Sequence, residues 1–153
     1  MTWRYIPPYA DLLAYGSRIR DCYPEELYKL FRNSLWMNTR MKYRCPCDLI
    51  KKGERIVLYG AGNVGQEYCR WINETHYVEL AAWVDMNHEE LGKTVSIGTE
   101  QIQSPEIISS LEFDHILISV LDGRTSVIIS DYLISSGVNV EKIIWTGKEV
   151  YEF

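Results

Sequence analysis

Three glycines with the spacing of a phosphate-binding turn follow Arg55, in the sequence Arg-Ile-Val-Leu-Tyr-Gly-Ala-Gly-Asn-Val-Gly. The apolar residues before these glycines predict a β-strand, and the residues after them predict the start of a helix. Gly60 can adopt the positive φ of a tight turn, Gly62 leaves room for a pyrophosphate, and Gly65 lets the helix pack closely on the strand. The N-terminus of the helix offers free N–H groups to an anion. The pattern therefore predicts the phosphate-binding turn of a nucleotide-binding α/β fold.

An acidic residue follows this turn at the distance typical of a ribose ligand. Asp85 comes 20 residues after Gly65 and directly follows a second apolar segment. A dinucleotide-binding fold places the acid that binds a ribose hydroxyl at this position. Because a carboxylate repels a 2′-phosphate, Asp85 favours NAD over NADP. The plain alternative is that Asp85 only ends a strand. S-adenosylmethionine is a weaker option, since methyltransferases also place an acid here.

Strands and helices alternate from Arg55 onward, and this alternation predicts a parallel sheet with helices on both faces. We expect a Rossmann-like sheet of four or five strands in the order 3-2-1-4-5 within residues 54–153, preceded by an aromatic-rich, mainly helical extension in residues 1–53. The predicted strands are 55–59, 78–84, 115–120 and 142–145, with a possible short strand at 94–97, and the predicted helices cover about 63–74, 105–111 and 125–135.

The predicted ligand site lies at the carboxyl ends of the strands, where such sheets bind ligands. Asn63 and Val64 supply backbone N–H groups at the start of the helix, and Ser119 and Val120 end the strand that begins at His115. The predicted ligand-binding residues are Gly60, Ala61, Gly62, Asn63, Val64, Gly65, Asp85, Ser119 and Val120. We predict no catalytic residue and no metal ligand.

Composition and charge limit the class of protein further. The chain of 153 residues is 46% hydrophobic and has a net charge of −5, which divides into +4 for residues 1–54 and −9 for residues 55–153. An acidic nucleotide-binding part argues against nucleic acid as a partner, because a phosphate backbone is bound by clustered Lys and Arg. No run approaches the roughly 20 apolar residues of a membrane span, and the first residues lack the apolar stretch of a secretory signal. We therefore expect a cytoplasmic protein without a transmembrane segment.

The nucleophilic and titratable residues predict no complete catalytic site. The four cysteines form no Cys-x-x-Cys pair and are expected to be reduced thiols. None of the 11 tyrosines is followed four positions later by Lys, so the proton-relay pair of short-chain dehydrogenases is missing. Residues 146–153 are too few to form the substrate domain with an acid/base pair that a complete dehydrogenase adds. We expect a binding module that is either part of a longer polypeptide or a stand-alone sensor or partner subunit.

Six segments carry a resemblance to a known kind of domain. They are 56–65, 83–85, 95–106, 114–120, 137–138 and 143–145. Together they resemble the Rossmann-type domains of bacterial surface-polysaccharide enzymes, which include membrane-bound nucleotide-sugar dehydratases and epimerases, sugar acyltransferases and some glycosyltransferases. The lead-in from Asp48 to Arg55 is most similar to the glycosyltransferase-attached type. The resemblance implies that the glycine turn binds NAD or a nucleotide sugar.

One leading hypothesis and two alternatives follow from these observations. The leading hypothesis is a Rossmann module that binds NAD or a nucleotide sugar as part of a glycosyltransferase or another surface-polysaccharide protein, without a complete catalytic site. Its N-terminal extension would dock it to a neighbouring domain, a partner or a second copy. The first alternative is an NAD-dependent nucleotide-sugar oxidoreductase or epimerase completed by a partner subunit. The second is a structural Rossmann domain with an empty site.

Overall fold

The computed structural model describes residues 43, 45–46 and 49–145. Within this part, five parallel strands form one sheet in the order β3-β2-β1-β4-β5, which confirms the predicted Rossmann-like topology. Of the predicted helical extension, residues 1–53, the structure describes only 43, 45–46 and 49–53, and these residues form no helix. In chain order the elements are β1 (Arg55–Tyr59), α1 (Asn63–Thr75), β2 (Glu79–Val84), α2 (His88–Thr94), β3 (Ile102–Gln103), a 3₁₀ helix (Pro105–Ser110), β4 (His115–Ile118), α3 (Gly123–Ser135), a short 3₁₀ helix (Val140–Lys142) and β5 (Ile143–Ile144).

Successive residues of β1 pack on opposite faces of the sheet, as the geometry of a strand requires. Ile56 and Leu58 belong to the apolar cluster that includes the inner side of α1. Val57 and Tyr59 belong to a second apolar cluster, which contains residues of the 3₁₀ helix and of α3. The predicted placement of helices on both faces is therefore confirmed.

The inner face of α1 consists of apolar side chains at helical spacing. Val64, Tyr68, Trp71 and Ile72 are all buried. These side chains recur every three or four residues, so they form one stripe along the helix. This stripe fixes α1 on the sheet and, with it, the direction in which the N-terminus of the helix points.

The segment between β2 and β3 differs from the prediction. A short strand was expected at 94–97, but His88–Thr94 form α2 and the third strand is Ile102–Gln103. Glu89 and Glu90 in the first turn of α2 and Lys93 in its last turn suit the helix dipole. Gly92 and the polar composition favour a loop when the sequence is considered alone, so the helix was not predicted.

The start of the segment after β3 agrees with the prediction. The hydroxyl of Ser104 accepts a hydrogen bond from the N–H of Glu106 at 3.3 Å, and Pro105 occupies the first position. This arrangement is the expected N-cap, although the element it opens is a 3₁₀ helix. Among the helices of the described part, none combines the length and apolar character that a bilayer crossing requires.

Two neighbouring residues of α3 provide a test of this packing. Leu133 is fully buried in the second apolar cluster, whereas Ile134 has 46% of its surface exposed. We expect Leu133→Ala to lower the free energy of unfolding by about 2–5 kcal/mol, because it leaves a cavity in the core. Ile134→Ala should change that free energy by less than about 1 kcal/mol. Denaturant unfolding of the two variants measures the difference, and equal losses would contradict the assigned orientation of α3.

Candidate functional site

The carbonyl group of Gly60 is held from two sides. The indole Nε1 of Trp83, in β2, donates to this oxygen at 2.7 Å. The hydroxyl of Ser119, which follows β4, lies 3.2 Å from the same oxygen and 2.9 Å from the carbonyl oxygen of Tyr59. The N–H of Gly60 donates to the Val84 carbonyl at 2.8 Å. The first residue of the turn is thus fixed by both strands that flank β1.

The glycines of the turn meet different surroundings. A Cβ on Gly65 would lie 2.0 Å from the carbonyl oxygen of Gly60, so only glycine lets α1 approach β1 this closely. Gly60 has a φ of +118°, a conformation that glycine tolerates and other residues avoid. A Cβ on Gly62 would meet no atom of the described residues within 4 Å. The turn is therefore packed at Gly60 and Gly65 and open at Gly62.

The N-terminus of α1 is accessible. Gly62 is the N-cap residue, and no side chain in the described part caps the helix. Gly62 and Asn63 are exposed, whereas Val64 is buried. Since N–H groups in the first turn of a helix have no intrahelical acceptor, those of Asn63 and Val64 are available donors at the carboxyl end of the sheet.

The Asp85 carboxylate faces the glycine turn. Its Oδ2 accepts the N–H of Ala61 at 2.8 Å, and its Oδ1 accepts the N–H of Asn87 at 2.7 Å. The amide Nε2 of Gln66 donates to the Ala61 carbonyl at 3.0 Å. Asp85 therefore lies beside the turn, as the sequence predicted, and it also stabilises the turn directly.

The two predicted site residues after β4 occupy different environments. Ser119 is buried, and its hydroxyl is engaged with the backbone oxygens of the turn. Val120 packs against the second apolar cluster, and its carbonyl accepts the Trp145 indole N–H at 2.8 Å. The structure thus brings Ser119 together with the glycines and Asp85, while Val120 contributes to packing on the other face of the sheet.

Sequence reasoning missed the polar roles of Trp83 and Gln66. As a large apolar residue of a predicted strand, Trp83 is expected in the core, and it is 1% exposed there, but its indole N–H also holds the turn. The available signal was the position of Trp83 two residues before Asp85 on the face covered by α1. Gln66 gave no comparable signal, because a glutamine in the first turn of a helix is ordinary.

Two further reactive side chains near the sheet, Tyr59 and Cys69, are buried and keep their protons at neutral pH. Burial raises the pKa of Tyr59 from 10.0 to about 12, and Tyr132 and Asp85 contribute to the rise. Burial, with Glu100, raises the pKa of the Cys69 thiol to about 12. Cys45 and Cys69 are free thiols, while Cys22 and Cys47 lie outside the described residues. In the described ranges no group of three or more His, Cys, Asp or Glu residues is placed to hold a metal ion.

The fold and the glycine turn define a Rossmann-like domain, and a protein-family comparison assigns it to a family. The family described as C2185-like, N-terminal, matches residues 52–144. The chain belongs to this family. The match begins just before β1 and ends at the last residue of β5, so it includes the whole sheet and the turn.

Two solved structures are similar to the chain. They are the crystal structure of RSP, a Rex-family repressor, and that of RSP in complex with β-NADH, each 17% identical, with TM-scores of 0.47 and 0.46. Each comparison covers 63% of this chain and 53% of the other, so the chain spans about half the length of these proteins. No curated protein matches the sequence.

The close approach of Gly65 to Gly60 can be tested with one methyl group. We expect Gly65→Ala to lower the free energy of unfolding by about 1–3 kcal/mol or more, because its Cβ has no space beside the Gly60 carbonyl. Gly92→Ala, on α2, is the matched control, since a Cβ there meets no described atom within 4 Å. The control should be neutral or stabilising by up to about 1 kcal/mol. A neutral Gly65→Ala in denaturant unfolding would contradict the assigned geometry.

The raised pKa of Tyr59 predicts a loss of stability in alkali. An unfolded tyrosine ionises near pH 10, whereas folded Tyr59 keeps its proton until about pH 12. Its contribution is therefore complete below about pH 10 and is lost as the pH rises towards 12. Between about pH 9 and 11 the free energy of unfolding should fall by about 1 kcal/mol more in the wild type than in Tyr59→Phe. Equal falls in parallel denaturant titrations would refute the effect.

Proposed function

We propose that the glycine turn binds the diphosphate of a nucleotide, either NAD or a nucleotide sugar. The observation that carries the proposal is the N-terminus of α1, where Gly62 and Asn63 are exposed and no side chain in the described part caps the helix. Free N–H groups and the positive end of the helix dipole suit a phosphate at this point. The space at Gly62 allows the approach, because a Cβ there would meet no described atom.

The hydrogen bonds within the turn indicate which of its residues would contact the ligand and which would only position the turn. Because the N–H of Ala61 is donated to Asp85, the phosphate is held by the N–H groups that follow, at Asn63 and Val64. Asp85 receives the ribose hydroxyls, since each carboxylate oxygen can accept more than one hydrogen bond. Ser119 and Trp83 act indirectly, by fixing Gly60. Val120 remains a predicted contact at the edge of the site.

NAD is the proposed cofactor, and a nucleotide sugar is the other ligand of the same chemistry. The Asp85 carboxylate disfavours the 2′-phosphate of NADP through charge repulsion, whereas it accepts the ribose hydroxyls of both proposed ligands. Both ligands carry a diphosphate of the kind that this turn would bind, so both belong in the binding screen.

The sequence resemblance supports a cellular context for this module. We propose that residues 54–153 form the nucleotide-binding domain of a glycosyltransferase or another surface-polysaccharide protein in the cytoplasm. Residues 1–53 would dock this domain to a neighbouring domain or a second copy. The net charge of −9 over residues 55–153 supports the absence of a nucleic-acid partner.

A second candidate, the structural domain with an empty site, is favoured by the bonds of Asp85. Both carboxylate oxygens already accept backbone N–H groups, so the residue has a role without any ligand. In that case the glycines serve only the strand-to-helix turn. The two candidates differ in what they predict for a larger side chain at Gly62: the nucleotide site loses its ligand, whereas the structural domain is unaffected. A Cβ at Gly62 would meet no described atom within 4 Å.

Titration calorimetry and thermal unfolding with NAD, NADH and UDP-sugars test the proposal. A ligand at 100 times its dissociation constant should stabilise the fold by about 2.7 kcal/mol. Gly62→Val should abolish this stabilisation without lowering the unliganded melting temperature by more than about 4 °C, because its side chain occupies only the space of the phosphate. Gly92→Val, which also adds a side chain at an open glycine, should leave binding unchanged.

The outcomes separate the two candidates. Binding that depends on Gly62 but not on Gly92 supports the nucleotide site. The absence of heat and of any thermal shift with all of the ligands would leave only the structural role. Binding that survives in Gly62→Val would place the ligand elsewhere on the protein.

A further inference from the structure

The outer face of α3 is apolar where a surface helix is normally polar. Val127, Ile128 and Ile134 have 57%, 68% and 46% of their surfaces exposed. The opposite face of the helix carries Ser126, Ile129 and Leu133, which are buried against the sheet. Exposed apolar side chains that share one face of a helix are typical of an interaction surface. We call Arg124, Val127, Ile128, Asp131 and Ile134 the outer face of α3.

Two opposite charges flank the centre of this face. Arg124 and Asp131 are exposed and lie seven residues apart, which is about two helical turns. Val127 and Ile128 occupy the midpoint between them. Neither charged side chain forms a salt bridge with any residue that the structure describes. Along the helix the face therefore carries a positive charge, the apolar pair Val127 and Ile128, a negative charge and then a further apolar side chain, Ile134.

We propose that the outer face of α3 is a homodimer interface, in which α3 packs antiparallel on α3 of a second copy. A two-fold axis between Val127 and Ile128 places Arg124 of each protomer opposite the partner's Asp131. The Val127 and Ile128 side chains of both copies then meet at the axis. The same surface serves both protomers, as an interface with two-fold symmetry requires.

The pattern of charges is the reason to choose a second copy over an unrelated partner. An antiparallel pair reverses the direction of one helix, so the positive end of one face meets the negative end of the other. The outer face of α3 is complementary to itself in this arrangement and in no parallel one. Complementary charges at an interface select the partner and fix the register. Here they favour a second copy of this chain as the partner.

The size of the surface sets the expected strength of the dimer. A helix of 13 residues is about 20 Å long, so a single helix pair makes a small interface. Interfaces that bury less than about 1,200 Å² are typical of weak, reversible association. We therefore expect a dissociation constant on the order of micromolar to hundreds of micromolar. The inference does not depend on the proposed nucleotide site.

Sedimentation equilibrium of the wild-type chain and of charge-reversal variants at Arg124 and Asp131 tests the interface. Arg124→Glu places two carboxylates opposite each other at both ends of the helix pair, and Asp131→Arg places two guanidinium groups there. Each single variant should raise the dissociation constant at least about tenfold. The double variant Arg124→Glu/Asp131→Arg re-forms both pairs with reversed polarity, and it should return the dissociation constant to within about threefold of the wild type.

Two further variants complete the design. Ile128→Lys brings two ammonium groups together at the axis and should give a monomer. Glu89→Arg, an exposed charge reversal on α2, should leave the dimer unchanged. Because all of the substituted side chains are exposed, circular dichroism and the melting temperature should stay those of a folded monomer.

The result that supports the interface is loss of the dimer in each single variant and its recovery in the double variant. A wild-type chain that remains monomeric up to roughly 1 mM would overturn the proposal. A dimer that is insensitive to both charge reversals would also overturn it, because association would then use a different surface.

Discussion

The hydrogen bonds to the Gly60 carbonyl are the interaction on which the rest of the site depends. Trp83 donates from β2 and Ser119 from the segment after β4, while Gly65 of α1 lies against the same carbonyl group. Because a buried carbonyl without donors is costly, these partners stabilise one position of the turn strongly. Three strands and one helix are thereby joined at a single peptide group. Gly62 and Asn63, which follow this fixed position, are exposed.

The two long helices that start at the carboxyl end of the sheet differ in how their N-termini are capped. Asp122 caps α3 by accepting the N–H groups of Arg124 and Thr125. The hydrogen bond from the Thr125 hydroxyl, together with the Arg124 N–H, lowers the pKa of Asp122 below its ordinary value, so this cap is ionised at neutral pH. The first turn of α1 contains no acidic residue. The position suited to an anion is therefore at α1 and is already filled by the protein at α3.

Much of this arrangement could be predicted from the sequence, because the glycine spacing of the turn and the apolar segments on both sides of it indicate the same structure. They predicted β1, α1 and the position of Asp85 beside the turn. The alternation of strands and helices predicted the parallel sheet and its strand order. Where sequence signals disagree, prediction failed: the charges of α2 favour a helix, but Gly92 and the surrounding polar residues are typical of a loop. The role of the Trp83 indole was missed, because its partner is a backbone carbonyl 23 residues away and only the position of Trp83 two residues before Asp85 pointed to the turn.

The central claim is that the backbone at the start of α1 binds a diphosphate. Amide chemical shifts of the isotopically labelled protein, recorded during titration with NADH and with a UDP-sugar, test this claim residue by residue. If the claim is right, the N–H signals of Asn63, Val64 and Gly65 shift most and saturate together with that of Asp85. If those signals stay fixed while others move, or if no signal moves with any nucleotide, the turn is a structural feature and the claim is wrong.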